Sequence, residues 1–457
     1  MTKSHLYRVL ALLMVLGMVL GACIAPTGNA PAPAAEATAA PAEEAATEAV
    51  AGGCNVTAPA DAVEVNMVGW AFPITEFYAA ELKECNTVEN ITVNTQLLDS
   101  TGAREQVNLA LAGGAASPFA IIHGANGDIS TWGSQGYLMP LNDLIEKYRD
   151  EYDLSDIPTT AWEGATYEGN IYGVPIVGNT LHLMYRPDLF EKYGIAVPTT
   201  YDEVIAACKV LADDPDIDLP FVMNLHAGWA WEIEFLHFLR SFGGDHLDAN
   251  NMPIFNGAEG VAALTKMKEV VDGCMGPEGI AYSVDDSEIG METGGLAFVN
   301  LWASRAANMD DPEKSEFVGG IEFAPAPRPN PDGPLGGSAW NDFYMIPATT
   351  DVDPDLIFQL IMQAADLESQ TEAAALGIVT RNAVAAAGIG GRYLPAAGET
   401  IANGVGIYKN NPAVGLARTA LGNHLPLVGT GEATPEEALN AAAEEYIAEA
   451  TAQGFIK

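Results

Sequence analysis

Between Tyr172 and Leu211 the hydrophobic pattern changes period, and few chain paths accommodate the order of elements it spells out. The run Ile176–Tyr185 alternates, with Leu181, Leu183 and Tyr185 on one side and Thr180, His182 and Met184 on the other, as an extended strand does. Pro187 and Asp188 then open a short helix, because proline fits the first helical turn and an acid there meets the positive end of the helix dipole. Gly194 can stop that helix in a left-handed conformation. Thr200 and Glu203 form a T-x-x-E capping box ahead of an apolar stripe at Val204, Ile205, Cys208 and Leu211. The expected order is strand, turn, helix, loop, helix.

A chain of 457 residues exceeds the usual size of one hydrophobic core, so two lobes are expected, and 49% apolar residues suffice to fill them. Glu64–Trp70, Ile91–Leu98 and Phe119–Ile122 read as strands separated by helices at Thr75–Cys85 and Ala103–Ala112. Such alternation implies an α/β lobe with parallel pairing, and ligands in such sheets sit beyond the carboxyl ends of the strands. Further on, Phe221–His226 is strand-like, Glu234–Phe242 and Val261–Val271 are helical, and Leu296–Trp302 is an apolar strand. Pro354–Ala364 and a last helix behind the Thr434/Glu437 capping box complete the pattern, while Gly398–Thr430 reads as loops and short turns. No repeat of 20 to 50 residues is apparent, which disfavours solenoids and propellers.

These parts also resemble a known family in their order and wording. Met184-Tyr185-Arg186-Pro187-Asp188-Leu189-Phe190, Gly194-Ile195 and Pro198-Thr199-Thr200-Tyr201-Asp202-Glu203 are similar to the hinge-crossing segment of extracellular solute-binding proteins of the maltodextrin/oligosaccharide type, with Arg186-Pro187 in place of the usual Asn-Lys and Tyr201 in place of Trp. Arg104–Val107, Ala110–Gly114, Ser117–Ile122, Gly136–Leu141, Leu296–Trp302, Gly336–Pro347 and Ile378–Arg381 resemble other family segments, so the likeness runs from about Val65 to Ala450. It implies a two-lobed periplasmic-binding-protein fold, each lobe a mainly parallel sheet flanked by helices, joined by a multi-strand hinge. The expected bounds are 55–178 plus 325–380 for the first lobe and 179–324 plus 381–457 for the second. It also implies a receptor that closes on a small solute, most simply a mono- or oligosaccharide, and hands it to the transmembrane subunits of an ABC-type permease.

The N-terminus reads as an export signal. Lys3 and Arg8 flank an apolar run, Val9–Val19, too short to span a bilayer, and Leu20-Gly21-Ala22-Cys23 then resembles a lipobox whose cysteine is lipidated. Residues 1–22 are thus expected to be removed, leaving Cys23 as the anchor at the outer face of the cytoplasmic membrane or in the periplasm; an ordinary signal peptide is the alternative. Residues 23–54, mostly Ala, Pro, Thr and Glu, cannot form a core and read as a flexible tether. Four cysteines remain, and outside the cytoplasm an even number invites disulfides. Cys54 with Cys85 and Cys208 with Cys274 pair within lobes, although Cys208 on an apolar stripe could equally be a free buried thiol.

Twenty Lys and Arg against 61 Asp and Glu give a net charge of −41 with no basic cluster, which excludes nucleic acid and leaves the lipid anchor as the membrane contact. A monomer, without cofactor or metal, is expected. No G-x-S-x-G, H-E-x-x-H or phosphate-loop motif occurs, so an enzyme is not expected. Asp214, Asp216 and Asp218 alternate like a calcium loop but lack its later Gly and Glu. The informative residues are tryptophans near the ends of expected strands, because an indole face matches the C–H face of a pyranose. Trp302, Trp229, Trp231, Trp340 and Trp70 are the candidates, and His123, Asn126, Asn300, Asn341, Asp342 and Glu76 are the candidate hydroxyl partners. Rival readings are a receptor for a metal ion, polyamine or other non-sugar solute, and a secreted carbohydrate-active hydrolase with a carboxylate pair in the cleft.

Overall fold

The computed structural model of the chain describes residues 53–226 and 228–457. The expected signal segment, Cys23 and nearly all of the tether lie outside the described residues. Among the described residues there are eleven strands: β1 Val63–Trp70, β2 Ile91–Leu98, β3 Ile121–Ala125, β4 Thr166–Tyr167, β5 Asn170–Ile171, β6 Gly173–Asn179, β7 Leu181–Tyr185, β8 Leu219–Val222, β9 Leu296–Trp302, β10 Glu322–Ala324 and β11 Trp340–Met345. They form a five-stranded sheet of order β2-β1-β3-β11-β6, a four-stranded sheet of order β10-β7-β9-β8 and the small β4-β5 hairpin. Helices flank the two larger sheets, as the α/β two-lobed reading requires.

The sheets are mixed rather than mainly parallel. β1 runs parallel to β2 and β3, but β11 is antiparallel to both β3 and β6. In the second sheet β8 and β9 are parallel, whereas β7 is antiparallel to β9 and β10. The cause is the way the chain passes between lobes. β6 and β7 are consecutive and separated by Thr180 alone, so one extended run leaves the first sheet and enters the second. β11 in turn enters the first sheet from the second lobe, without the crossover helix that makes neighbours parallel.

Both faces of β7 are covered: Leu181, His182, Leu183 and Met184 are all buried, so its alternation divides two interiors and not core from water. After it, Pro187–Tyr193 is helical and ends at Gly194 with φ 65°. Thr200 and Glu203 make the reciprocal capping box of the helix Tyr201–Leu211. Cys208 on that helix is joined to Cys274 in the π-helical turn Val271–Met275, and Cys54 is joined to Cys85 after the helix Pro73–Glu84.

Two local expectations need correction. The helix expected from Glu234 begins at Gly228, so Trp229 and Trp231 stand in its first turn and not in a loop. The stretch 398–430 contains a 13-residue helix, Pro412–His424, packed on Gly228–Ser241 and on the last helix, Pro435–Ala452. Its glycines read as breakers but serve close approach. A Cβ on Gly422 would lie 3.0 Å from the backbone of Gly228, and one on Gly415 2.7 Å from Thr131 Oγ1.

Candidate functional site

The strand ends carry the cleft. β1 and β9 both terminate in tryptophan, so Trp70 and Trp302 stand at the edges of their sheets where the lobes meet. From the first lobe the wall is completed by Phe72, Ser100, Arg104, Ala125, Trp340 and Asp342, and from the second by Trp229, Ile233, Val284, Ser304, Arg305 and Arg418, with Asn179 at the crossing between them. They border a gap of about 550 Å³ that opens to solvent. Two further hollows share Trp229 with it, one bordered by Asp99, His226 and Asp286, the other by Asp128, Thr131 and Tyr408.

Aromatic rings meet across the lobes. Trp302 and Trp340 have ring centroids 5.8 Å apart at 58°, and Trp340 lies edge-on to Tyr408 at 5.1 Å. Trp70 is backed by His123, stacked at 3.8 Å. The Arg305 guanidinium sits 5.7 Å from the centre of the Phe72 ring, a cation–π approach between lobes. Asn410 makes a second contact between lobes, outside the cleft. Its Nδ2 donates to the carbonyls of Gly164 at 2.6 Å and Thr166 at 3.2 Å, and its Oδ1 accepts from the Gly127 N–H at 3.4 Å.

Each arginine in the wall is held by acids. Arg104 makes a two-pronged pair with Asp128 at 2.5 and 3.1 Å. Arg305 Nη1 lies 2.6 Å from Glu288 and 3.0 Å from Asp285, and Asn308 donates to the other Glu288 oxygen. Arg418 Nε lies 3.4 Å from Glu232 Oε2, whose partner oxygen has His246 Nε2 at 2.7 Å and accepts from Tyr408 Oη at 3.3 Å. Burial pushes the Glu232 carboxyl up, but His246, Arg418 and Tyr408 outweigh it and hold it below the usual carboxylate range. Glu292, one turn beyond Glu288, is pushed up to about 7 by burial and then by Glu288. Among the described residues no group of three or more His, Cys, Asp or Glu is arranged to hold a metal ion.

Of the residues singled out in the sequence, Trp70, Trp229, Trp302, Trp340 and Asp342 come together in this cleft. The others do not line it. Trp231, two residues from Trp229 and so on a different helix face, is buried against Gly429 in the second lobe. Asn300 is buried within the second sheet, with Tyr201 Oη and the Gly336 carbonyl 3.4 and 3.5 Å away. His123 lies behind Trp70, with Nε2 3.6 Å from Asp342. Asn126 is buried and accepts from the Asn341 N–H at 2.5 Å. Asn341 packs near Gly164, and Glu76 is exposed in the first turn of its helix. Arg104, Arg305 and Arg418 are not among the residues singled out in the sequence, although their signal is scarcity: three of the ten arginines of this acidic chain stand in one wall.

The family model described as bacterial extracellular solute-binding protein matches residues 73–361. The chain belongs to that family. Among solved structures, this family member is similar to an ABC transporter solute-binding protein of Agrobacterium radiobacter K84 in complex with ribitol, with a TM-score of 0.74, 23% identity and coverage of 85% of this chain and 99% of the other. It is also similar to a maltose-bound MalE3 of T. maritima, with a TM-score of 0.73, 22% identity and coverage of 85% and 100%. At those identities the likeness establishes the two-lobed fold. Among curated relatives, an uncharacterized ABC transporter extracellular-binding protein of Pyrococcus horikoshii is 32% identical over 120 residues, 26% of this chain and 27% of that one. A mannitol-binding protein of Pseudomonas aeruginosa is 24% identical over 217 residues, 47% and 48% of the two chains. The chain thus spans half or less of the length of these curated relatives.

Proposed function

We propose that this solute-binding protein captures a mono- or oligosaccharide, or a polyol of similar chemistry, between its lobes and presents it to the transmembrane subunits of an ABC-type permease. The observation that carries this reading is the pairing of Trp302 and Trp340, brought from different lobes into one cleft whose largely apolar wall also carries the planar hydrogen-bonding groups of Arg104, Arg305, Arg418, Asn179 and Asp342. Indole faces take the C–H faces of a sugar, while guanidinium and carboxylate groups take its hydroxyls. The maltose-, ribitol- and mannitol-binding relatives point the same way. In this reading 55–178 plus 325–380 form one moving body and 179–324 plus 381–457 the other. The ligand favours the closed state through contacts made by both. The protein works by binding and release, as a single copy tethered by lipid on Cys23 through residues 23–54, at the outer face of the cytoplasmic membrane or in the periplasm.

The test is a thermal-shift screen of the purified chain against sugars, polyols, polyamines and metal ions, followed by calorimetry. A sugar or polyol is expected to raise the melting temperature. Trp302→Ala is expected to weaken its binding at least about tenfold, roughly 1.4 kcal/mol, with the fold retained. A shift by a polyamine or a metal ion alone overturns the ligand assignment, and release of a cleaved product from a glycan would make the protein a hydrolase.

A further inference from the structure

Three arginines in one cleft invite the expectation of an anionic ligand such as a uronate or a sugar phosphate. The geometry points elsewhere. Resting on the saccharide reading above, we propose that the cleft selects uncharged polyhydroxylated ligands, with Arg104, Arg305 and Arg418 acting as immobilised N–H donors to hydroxyls and not as counter-charges.

The charge on these three arginines is already matched by acids. Asp128 faces Arg104, Glu288 and Asp285 face Arg305, and Glu232 faces Arg418. With Asp342 in the wall, five carboxylates stand against three guanidiniums, and among the described residues no lysine lines the cavity. A ligand carboxylate or phosphate would shed its water to enter a site with no unmatched positive charge, inside a chain of net charge −41. A cationic ligand fares no better. Both oxygens of Asp128 and of Glu288 are engaged by arginine or amide donors, so a cation entering the cavity meets guanidiniums first and one open carboxylate, Asp342.

What remains available is hydrogen bonding without net charge. A guanidinium has five N–H donors in a planar fork, and the acids hydrogen-bond only some of them: Nη1 and Nη2 of Arg104 and Nη1 of Arg305, while Arg418 is paired with Glu232 at 3.4 Å by charge alone. The hydrogen-bonded acids also hold the Arg104 and Arg305 guanidiniums still, which lowers the ordering cost of meeting a hydroxyl. Arg305 shows the design most fully, because its own side chain and that of Glu288 are both 6% exposed.

The experiment pairs neutral and charged ligands on one skeleton. Calorimetry at pH 7 on the full chain would compare glucose with glucuronate and glucose 6-phosphate, galactose with galacturonate, and mannitol with its 1-phosphate. For whichever skeleton binds, the neutral member is expected to bind at least tenfold tighter than its charged counterparts. Glu288→Gln frees positive charge on Arg305 and should narrow that ratio at least tenfold in favour of the anion. Asp285→Asn, at a side chain 40% exposed at a helix start, should shift the ratio the same way by a smaller factor and carries the test should Glu288→Gln not fold. The proposal is overturned if the charged member binds as tightly as the neutral one, or if folded variants leave the ratio unchanged. Either result leaves the saccharide reading intact, whereas a chain that binds polyamine and no carbohydrate loses both.

Discussion

Two stretches of the chain border the gap between the lobes and are built on opposite principles. Residues 173–211 cross from one sheet to the other through buried strands, then enter capped helices, and contribute Asn179 alone to the cleft wall. Residues 404–424 touch the neighbouring strand region through isolated bridges, Leu335 to Gly404 and Ala339 to Ile407, and then form a helix. Yet that second stretch supplies Arg418 to the wall, Tyr408 to its edge, and Asn410 and Gly415 to the contact with the other lobe. On the function proposed above, the first stretch holds the lobes in shape and the second is placed to meet the ligand. Substitutions should therefore separate them, stability being lost in one and affinity in the other.

The largest separation is expected from Cys208→Ser. The Cys208–Cys274 bridge closes a loop across a sequence separation of 66, and by the chain-entropy argument its loss costs about 4 kcal/mol of stability. Chemical denaturation would read that loss, while ligand affinity at a temperature where the variant stays folded should change less than twofold. An affinity drop comparable to the stability drop would show that this stretch shapes the cleft after all.

Gly415→Ala tests the opposite corner. Within a helix the change should raise intrinsic helix stability by up to about 1 kcal/mol. The added methyl would sit 2.7 Å from Thr131 Oγ1 of the facing lobe, however, so the closed form is overpacked by about 1 to 3 kcal/mol. The expected result is an unchanged or raised melting temperature without ligand and roughly tenfold weaker binding with it. Unimpaired affinity would mean that closure does not bring these two residues together.

The contrast also explains what could be read in advance. Residues 173–211 announce themselves because burial imposes a period and helix ends impose caps, and Pro187, Gly194, Thr200 and Glu203 each act within a few residues of their own position. β9 was legible for the same reason, being seven buried residues in a row ending in Trp302. The helix Pro412–His424 was not, since Gly415 and Gly422 make sense only against Thr131 and Gly228, far away in sequence. The site divides along the same line. Trp70 and Trp302 sit at strand ends that pattern locates and Trp340 lies in a segment marked only by resemblance, whereas separating Trp229 from Trp231 required knowing that the helix starts at Gly228. The arginines needed their acids. Glu288 for Arg305 and Glu232 for Arg418 become partners only once the second lobe is folded.

The smallest expected effect belongs to Asn410, and it is the one that bears on closure itself. The helix Thr159–Gly164 ends with carbonyls that lack partners in the helix, as every helix does. Asn410 supplies donors to Gly164 and Thr166 from the other lobe, and it takes the N–H of Gly127 in return. When the lobes part, water can satisfy all these groups, so the contact favours the closed form by only about 0.5 to 1.5 kcal/mol. Asn410→Ala should accordingly weaken ligand binding by roughly three- to tenfold, through a smaller closed population and not through any ligand contact. Asn410→Asp, which keeps the shape and removes the donors, should do the same, and small-angle scattering of the ligand-free variants should give a larger mean radius than the parent. If affinity falls while the scattering radius stays put, Asn410 acts on the cleft wall through Tyr408, and the second stretch shapes the site without governing closure.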